Sequence, residues 1–278
     1  MTQIISETVT FEELEKLGSE LDASPASKST LPDKPELKLP PPVKPLLRTR
    51  GSAHVNPNQR RAEEIRDFCQ QRKITDICHF TRIENLRGIL TEGLIPRAEL
   101  ENRPPASRPI FVDDWRLDGH TNASCLSISF PQYKMFYSKR RQSGDDDLWV
   151  VITYDYSVIT RLDAAFINYN AAANYNCGVD VSQRKSVDSL KELFDDFGGV
   201  KREHLLIPES YPTNPQSEVL VFDTISTNFI KEVCFYREEP AKKWIAENKE
   251  IYPLDTYWMG GPVFNGRRDY AAWRKEFY

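Results

Sequence analysis

The sequence predicts an α+β fold, from three observations. Two amphipathic helical segments flank a short strand near residue 80. A series of short strand-like segments separated by polar loops follows. The later strands and helices do not keep the strict strand–helix alternation of a doubly wound parallel sheet. The chain has 278 residues, 40% of them hydrophobic, enough for one sizeable core and a tail.

The first fifty residues divide in two. TFEELEKLGSELD predicts a short helix, with Thr10 as N-cap and Glu13 at capping-box spacing. ASPASKSTLPDKPELKLPPPVKPLL follows; its prolines and charges favour an extended chain without a core. The expected organisation is a helical segment over 1–22, a Pro-rich linker over 23–52 and a folded domain over 53–278.

In that domain Ala62, Ile65 and Phe68 recur at helical spacing among charges. TDICHFT reads as a strand. RIENLRGILTEGL reads as a helix with the apolar stripe Ile83, Leu86, Ile89 and Leu90, closed by a left-handed Gly93. RPIFVDD, ASCLSISF, DLWVVITYDYSVI, EVLVFDTI and NFIKEVCFY read as strands. VDSLKELFDDF and EEPAKKWIAENK read as helices, and AAFINYNAAANYNCGVD as irregular.

The composition narrows function. No apolar run approaches the roughly 20 residues of a membrane span, and no signal-peptide pattern is seen, so a cytoplasmic protein is expected. The five cysteines, Cys69, Cys78, Cys125, Cys177 and Cys234, lack metal or disulfide spacing. Four histidines without paired spacing argue against a metalloenzyme. A net charge of −4 argues against non-specific coating of nucleic acid, though not against a local basic site.

Three stretches carry candidate chemistry. In CHFT, His79 stands where a strand hands over to a helix, as a ligand-facing group or as an ordinary satisfied core histidine. In DDWRLDGHTNASCLSISFPQYKMFY, Arg116 suits a phosphate clamp, Ser127 and Ser129 share a strand face, and Tyr133, Phe136 and Tyr137 suit stacking on a flat ring. A hairpin loop with a core-packing aromatic helix would explain the same residues. In NPQSEVLVF, Gln216 and Glu218 alternate onto one face at the start of an apolar strand. A carboxylate fixed there could stabilise a developing cation or act as a base, or be an exposed edge glutamate.

Taken in order, HFTRIENLRGILTEGL, RLDGHTNASCLSISFPQYKMFY and QSEVLVFDTISTNFIKEV resemble the DarT-like ADP-ribosyltransferases, which modify nucleic-acid bases using NAD. The resemblance runs from about Ile74 to Tyr236. It implies an ADP-ribosyltransferase-like split mixed β-sheet with peripheral helices and an NAD cleft. By match to the motifs, Glu218 and Arg116 would be catalytic, while His79, Thr81, Asn85, Ser129, Tyr133, Met135 and Tyr137 would hold NAD. Gln216 would place the acceptor base. The basic stretch before Glu218, including Arg184, Lys185 and His204, would meet its backbone, with Lys139–Arg141 as a second basic cluster. The implied protein is a toxin or anti-phage effector. It would modify single-stranded DNA or RNA, with NAD as co-substrate, no metal, and an antitoxin or chaperone as partner. The alternatives are a protein-modifying transferase and a catalytically silent NAD- or partner-binding module.

Overall fold

A computed structural model of the protein describes residues 56–112, 119–169, 180–251, 257–259 and 262–273. The helix and Pro-rich linker expected over 1–52 lie outside them, as does Arg116.

Helix α1 (Pro57–Gln71) opens where the Asn56 side chain accepts from the Asn58 N–H, with Pro57 at its first position. Strand β1 (Asp76–Arg82) runs straight into α2 (Ile83–Glu92), and a short α3 (Arg97–Glu101) follows. Then come β2 (Ser124–Ile128), α4 (Tyr133–Ser143), β3 (Trp149–Asp155), α5 (Val158–Arg161), β4 (Ala164–Ile167) and α6 (Val187–Glu192). The described chain closes with β5 (Glu218–Val221), β6 (Ile230–Phe235), α7 (Glu238–Glu247) and β7 (Tyr257–Met259).

The strands form one seven-stranded mixed sheet in the order β4-β5-β2-β1-β3-β6-β7. Among the described residues only the β6–β7 pairing is parallel. The α+β expectation holds, with three differences. AAFI, expected as irregular, is β4; it is buried on both faces, so it lacks the alternation that marks a half-buried strand. The RPIFVDD segment forms no strand over its described residues; the Asn85 side chain, rather than a neighbouring strand, holds its backbone at Ile110. Gly93 has φ +92 but ψ 177, so it is not a left-handed helical cap. A methyl group there would lie 2.5 Å from the Ile225 carbonyl oxygen, which explains the glycine better.

The two faces of the sheet differ. One carries a continuous core: Ile77, Leu126, Val150, Ile152, Val219 and Val233 pack under Ile65 and Phe68 of α1, Leu86 and Ile89 of α2, and Trp244 of α7. The other carries two separate apolar clusters. One gathers Cys78, Val151 and Cys234 beneath Phe136 and Phe264; the other gathers Ala123, Ala165, Ile167 and Leu220.

Candidate active site

The gap between those two clusters holds polar residues. Cys78 pairs with Ser127 across β1 and β2, and Ile167 pairs with Glu218 across β4 and β5. One further step along the β2–β5 register sets Ser127 beside Glu218. A row Cys78–Ser127–Glu218–Ile167 thus crosses the sheet, apolar at its ends and polar in the middle.

The same place is where the sheet splits. β1 and β2 share only two paired positions, Ile77 with Ile128 and Cys78 with Ser127, whereas β1 pairs with β3 over its whole length. Beyond Cys78 the two strands part, and a cleft of about 700 Å³ opens between them. His79, Thr81 and Asn85 line it from β1 and α2, Ser124 and Cys125 from β2, Gln132 and Met135 from the start of α4, and Glu218 from β5. This volume lies within the range of a small-molecule or cofactor site.

Each polar side chain is held. The His79 Nδ1 lies 2.9 Å from the Cys125 carbonyl oxygen. A carbonyl can only accept, so Nδ1 carries the proton in this bond. The imidazole thereby bridges the split where the backbone ladder has stopped. Glu218 is 7% exposed, and its Oε1 accepts a 2.8 Å hydrogen bond from Gln132 Nε2. Gln132 sits at the N-cap of α4, 2% exposed.

Asn85, which lines the cleft, also holds the backbone beside it. Its amide donates to the Ile110 carbonyl at 2.7 Å and accepts from the Ile110 N–H at 2.8 Å, with a further 3.0 Å bond to Thr81 Oγ1. It pins the segment 104–112 along the cleft as a strap. Arg97 lies 4.4 Å over the Phe111 ring, and Arg103 forms a two-point pair with Glu92 at 3.2 and 2.7 Å. That guanidinium holds the Glu92 carboxyl below its usual range. The Arg108 Nε donates to the Arg103 carbonyl, while its terminal nitrogens have no partner among the described residues.

The structure separates other residues that the sequence grouped. On α4, Gln132 and Met135 face the cleft, three residues apart. Tyr133 and Tyr137, four apart, do not line it; Tyr133 is 8% exposed, its hydroxyl pushed far up by burial and by Asp269 nearby. Ser129 follows β2 with φ +60, away from the strand face shared with Ser127, and its hydroxyl is buried without a partner among the described residues. Gln216 lies in the turn before β5, because the Asn214 side chain accepts its N–H at 3.0 Å; it neither continues the strand nor lines the cleft.

The basic stretch is laced with acids. Arg184 pairs with Glu192 at 2.7 Å, Lys185 with Asp163 at 2.5 Å and Lys201 with Asp196 at 2.7 Å. The His204 side chain is 74% exposed beside Glu203. Arg184, Lys185 and His204 do not line the cleft. Arg140 is buried over the Phe136, Tyr236 and Phe264 rings, and its desolvated guanidinium has a lowered pKa. Gln132 and Arg108 are among the cleft residues that the sequence does not single out, as are Arg97, Arg103 and Ser124. The only signal for Gln132 was a polar residue between a proline and the aromatic helix.

Among the described residues, no helix is long and apolar enough to cross a membrane, and no group of three or more His, Cys, Asp and Glu could hold a metal.

A split sheet with a buried carboxylate beside its cleft is the arrangement expected of an ADP-ribosyltransferase, and comparison with known proteins agrees. The family model for DarT, described as an ssDNA thymidine ADP-ribosyltransferase, matches residues 78–250. The chain belongs to the DarT family, and its enzyme class is ADP-ribosyltransferase. Among solved structures it is similar to Thermus sp. 2.9 DarT in complex with carba-NAD+, at 16% identity over 70% of this chain and 99% of that one, with a TM-score of 0.48. The same protein in complex with ADP-ribosylated ssDNA gives 14% identity over 71% and 96%, with a TM-score of 0.44. Thermosipho africanus DarTG in complex with ADP-ribose gives 17% identity and a TM-score of 0.47; the match covers 68% of this chain but only half of the DarTG chain. No curated protein sequence matches.

Proposed function

We propose that the protein transfers ADP-ribose from NAD to thymidine in single-stranded DNA, with Glu218 as the catalytic carboxylate. The observation that carries this reading is the buried Glu218, oriented by Gln132 on the interrupted face of the sheet and lining the same cleft as His79. Family membership supports the donor and the acceptor.

NAD is the co-substrate and supplies the ADP-ribosyl group, with nicotinamide leaving on the bonding electron pair. As that bond breaks, positive charge builds on the ribose. A carboxylate held in place beforehand stabilises that charge without having to reorganise. It is also acceptor-only, so it can take the proton that an attacking base nitrogen must lose. His79, with its Nδ1–H committed to Cys125, lines the cleft and orients the ribose end of the donor. Arg108 offers its terminal nitrogens to the donor's diphosphate, for which a planar guanidinium is well shaped. Arg184, Lys185 and His204 lie outside the cleft, and their role in this reading is limited to outer contacts with the acceptor backbone. The same proposal includes a toxin or anti-phage role restrained by an antitoxin or chaperone.

The test is mass spectrometry of DNA oligonucleotides with and without thymidine, and of RNA, after incubation with NAD and the protein or its Glu218→Gln variant. An adduct only on thymidine-containing DNA, absent with the variant, is expected. Unimpaired transfer by the variant removes Glu218 from the mechanism. An adduct on RNA or on protein alone replaces the acceptor. Expression of the wild type, but not of the variant, should arrest growth of the host.

A further inference from the structure

The family match ends at residue 250, and Pro262–Trp273 lies beyond it. Within that segment Arg267 and Asp269 form an ion pair whose side chains are 2% and 1% exposed. The guanidinium bonds both carboxylate oxygens, Nε to Oδ1 at 2.9 Å and Nη2 to Oδ2 at 2.6 Å. It also donates to the Pro212 carbonyl at 2.9 Å and the Thr213 carbonyl at 3.3 Å. The fully buried Trp273 donates its indole N–H to Asp269 Oδ2 at 2.9 Å.

Both sets of supports for Glu218 meet this cluster. Pro212 and Thr213 begin the turn that leads to β5, and Asn214 shapes the rest of it by accepting from the Gln216 N–H and donating to the Asn168 carbonyl. On the other side, Lys134 of α4 donates to the Trp273 carbonyl at 2.8 Å and Arg140 to the Phe264 carbonyl at 2.5 Å. Gln132, which bonds Glu218, stands at the N-cap of that helix. The C-terminal segment therefore holds the loop ahead of the carboxylate and the helix that orients it.

A fully buried ion pair is weak evidence for stability, because apolar groups of the same volume often do as well. Apolar groups could not fix the direction of two backbone carbonyls, as a planar guanidinium locked by a carboxylate does.

We propose that Arg267, Asp269 and Trp273 form a positioning device that sets the Glu218 carboxylate. The proposal rests on Glu218 being the catalytic group. None of the three touches a reactant; they act through the 212–217 turn and α4.

The test compares full-length wild type, Asp269→Asn, Trp273→Phe and Glu218→Gln by steady-state transfer with NAD and a thymidine-containing oligonucleotide, alongside thermal melting. Displacing a catalytic group from a distance can lower the rate by about a hundredfold. Asp269→Asn should therefore lose about tenfold to a hundredfold in kcat, and Trp273→Phe several-fold, each with KM for NAD within about twofold of wild type. In a Glu218→Gln background, Trp273→Phe should lower the residual rate no further, because the two act on one group. If Asp269→Asn does not fold, Trp273→Phe decides. Wild-type kcat in both folded variants, or a change confined to KM, overturns the proposal while leaving Glu218 in place. Unimpaired turnover by Glu218→Gln instead removes the reading on which it rests.

Discussion

The two faces of the central sheet follow different rules. The face under α1, α2 and α7 is one unbroken apolar layer running through the inner strands. The opposite face is broken into two clusters, and Ser127 and Glu218 occupy the break. Both faces are well covered, so burial alone does not tell them apart. What differs is continuity. The continuous layer holds few polar atoms, the buried Tyr154 hydroxyl among them, whereas the broken one holds a buried carboxylate met by the donor Gln132. The larger apolar cluster lies under one face, while the cleft takes His79 and Thr81 from that face and Glu218 from the other.

The sharpest way to break this contrast is to exchange the signatures of the two faces. Glu218→Gln should lower kcat about a thousandfold. Its melting temperature should stay at or above that of the wild type, because the change removes a buried charge. Ile65→Ala, on α1 against the continuous face and wholly buried, should do the reverse. It should lower unfolding free energy by about 2–5 kcal/mol in urea titration and leave kcat unchanged where the protein is still folded. A variant on either face that moved both quantities together would dissolve the distinction.

A smaller effect sharpens it. Asn85→Ala releases the strap at Ile110 and should raise KM for NAD about five- to tenfold with little change in kcat, because it loosens a wall of the cleft without touching Glu218. The smallest effect is that of pH on the buried acids, and it appears only above neutrality. Burial pushes the Cys69 thiol up to about 12, and raises Cys78, Tyr133 and Tyr154 as well. Such groups stay protonated in the folded state while the unfolded chain loses its protons. Stability is therefore complete below the ordinary thiol value near 9 and declines progressively as pH rises above it. Urea titrations at pH 7, 9 and 10.5 should show a falling midpoint. A flat profile would place these groups in water.

How much of this the sequence disclosed follows from the reach of each signal. β1, α2 and β3 are legible because helical or strand periodicity is local. Glu218 is legible from its position at the start of an apolar run. β4 is not, because four residues buried on both faces show no period. The alternation of Gln216 and Glu218 predicts one shared face at the strand start, yet Asn214-Pro215 is a turn signal, and the Asn214 side chain uses it to hold Gln216 in the turn. Gln132 and Arg267 acquire their roles through contacts distant in sequence: 86 residues to Glu218, and 55 and 54 from Arg267 to the two carbonyls, while Asp269 joins through its neighbours Arg267 and Trp273. Along the chain, GRRD reads as surface charge. Of Tyr133, Met135 and Tyr137, only Met135 lines the cleft, for a simpler reason. Residues two apart on a helix point in different directions.

The bond from His79 to the carbonyl of residue 125 has a consequence for sequence drift. Every residue type presents the same backbone oxygen, so the imidazole is held without constraining which side chain residue 125 carries. Cys125→Ser should therefore be nearly silent in transfer assays. Relatives with other residues there would keep the same imidazole placement, and a search for a side chain that changes in step with His79 would find none at this position.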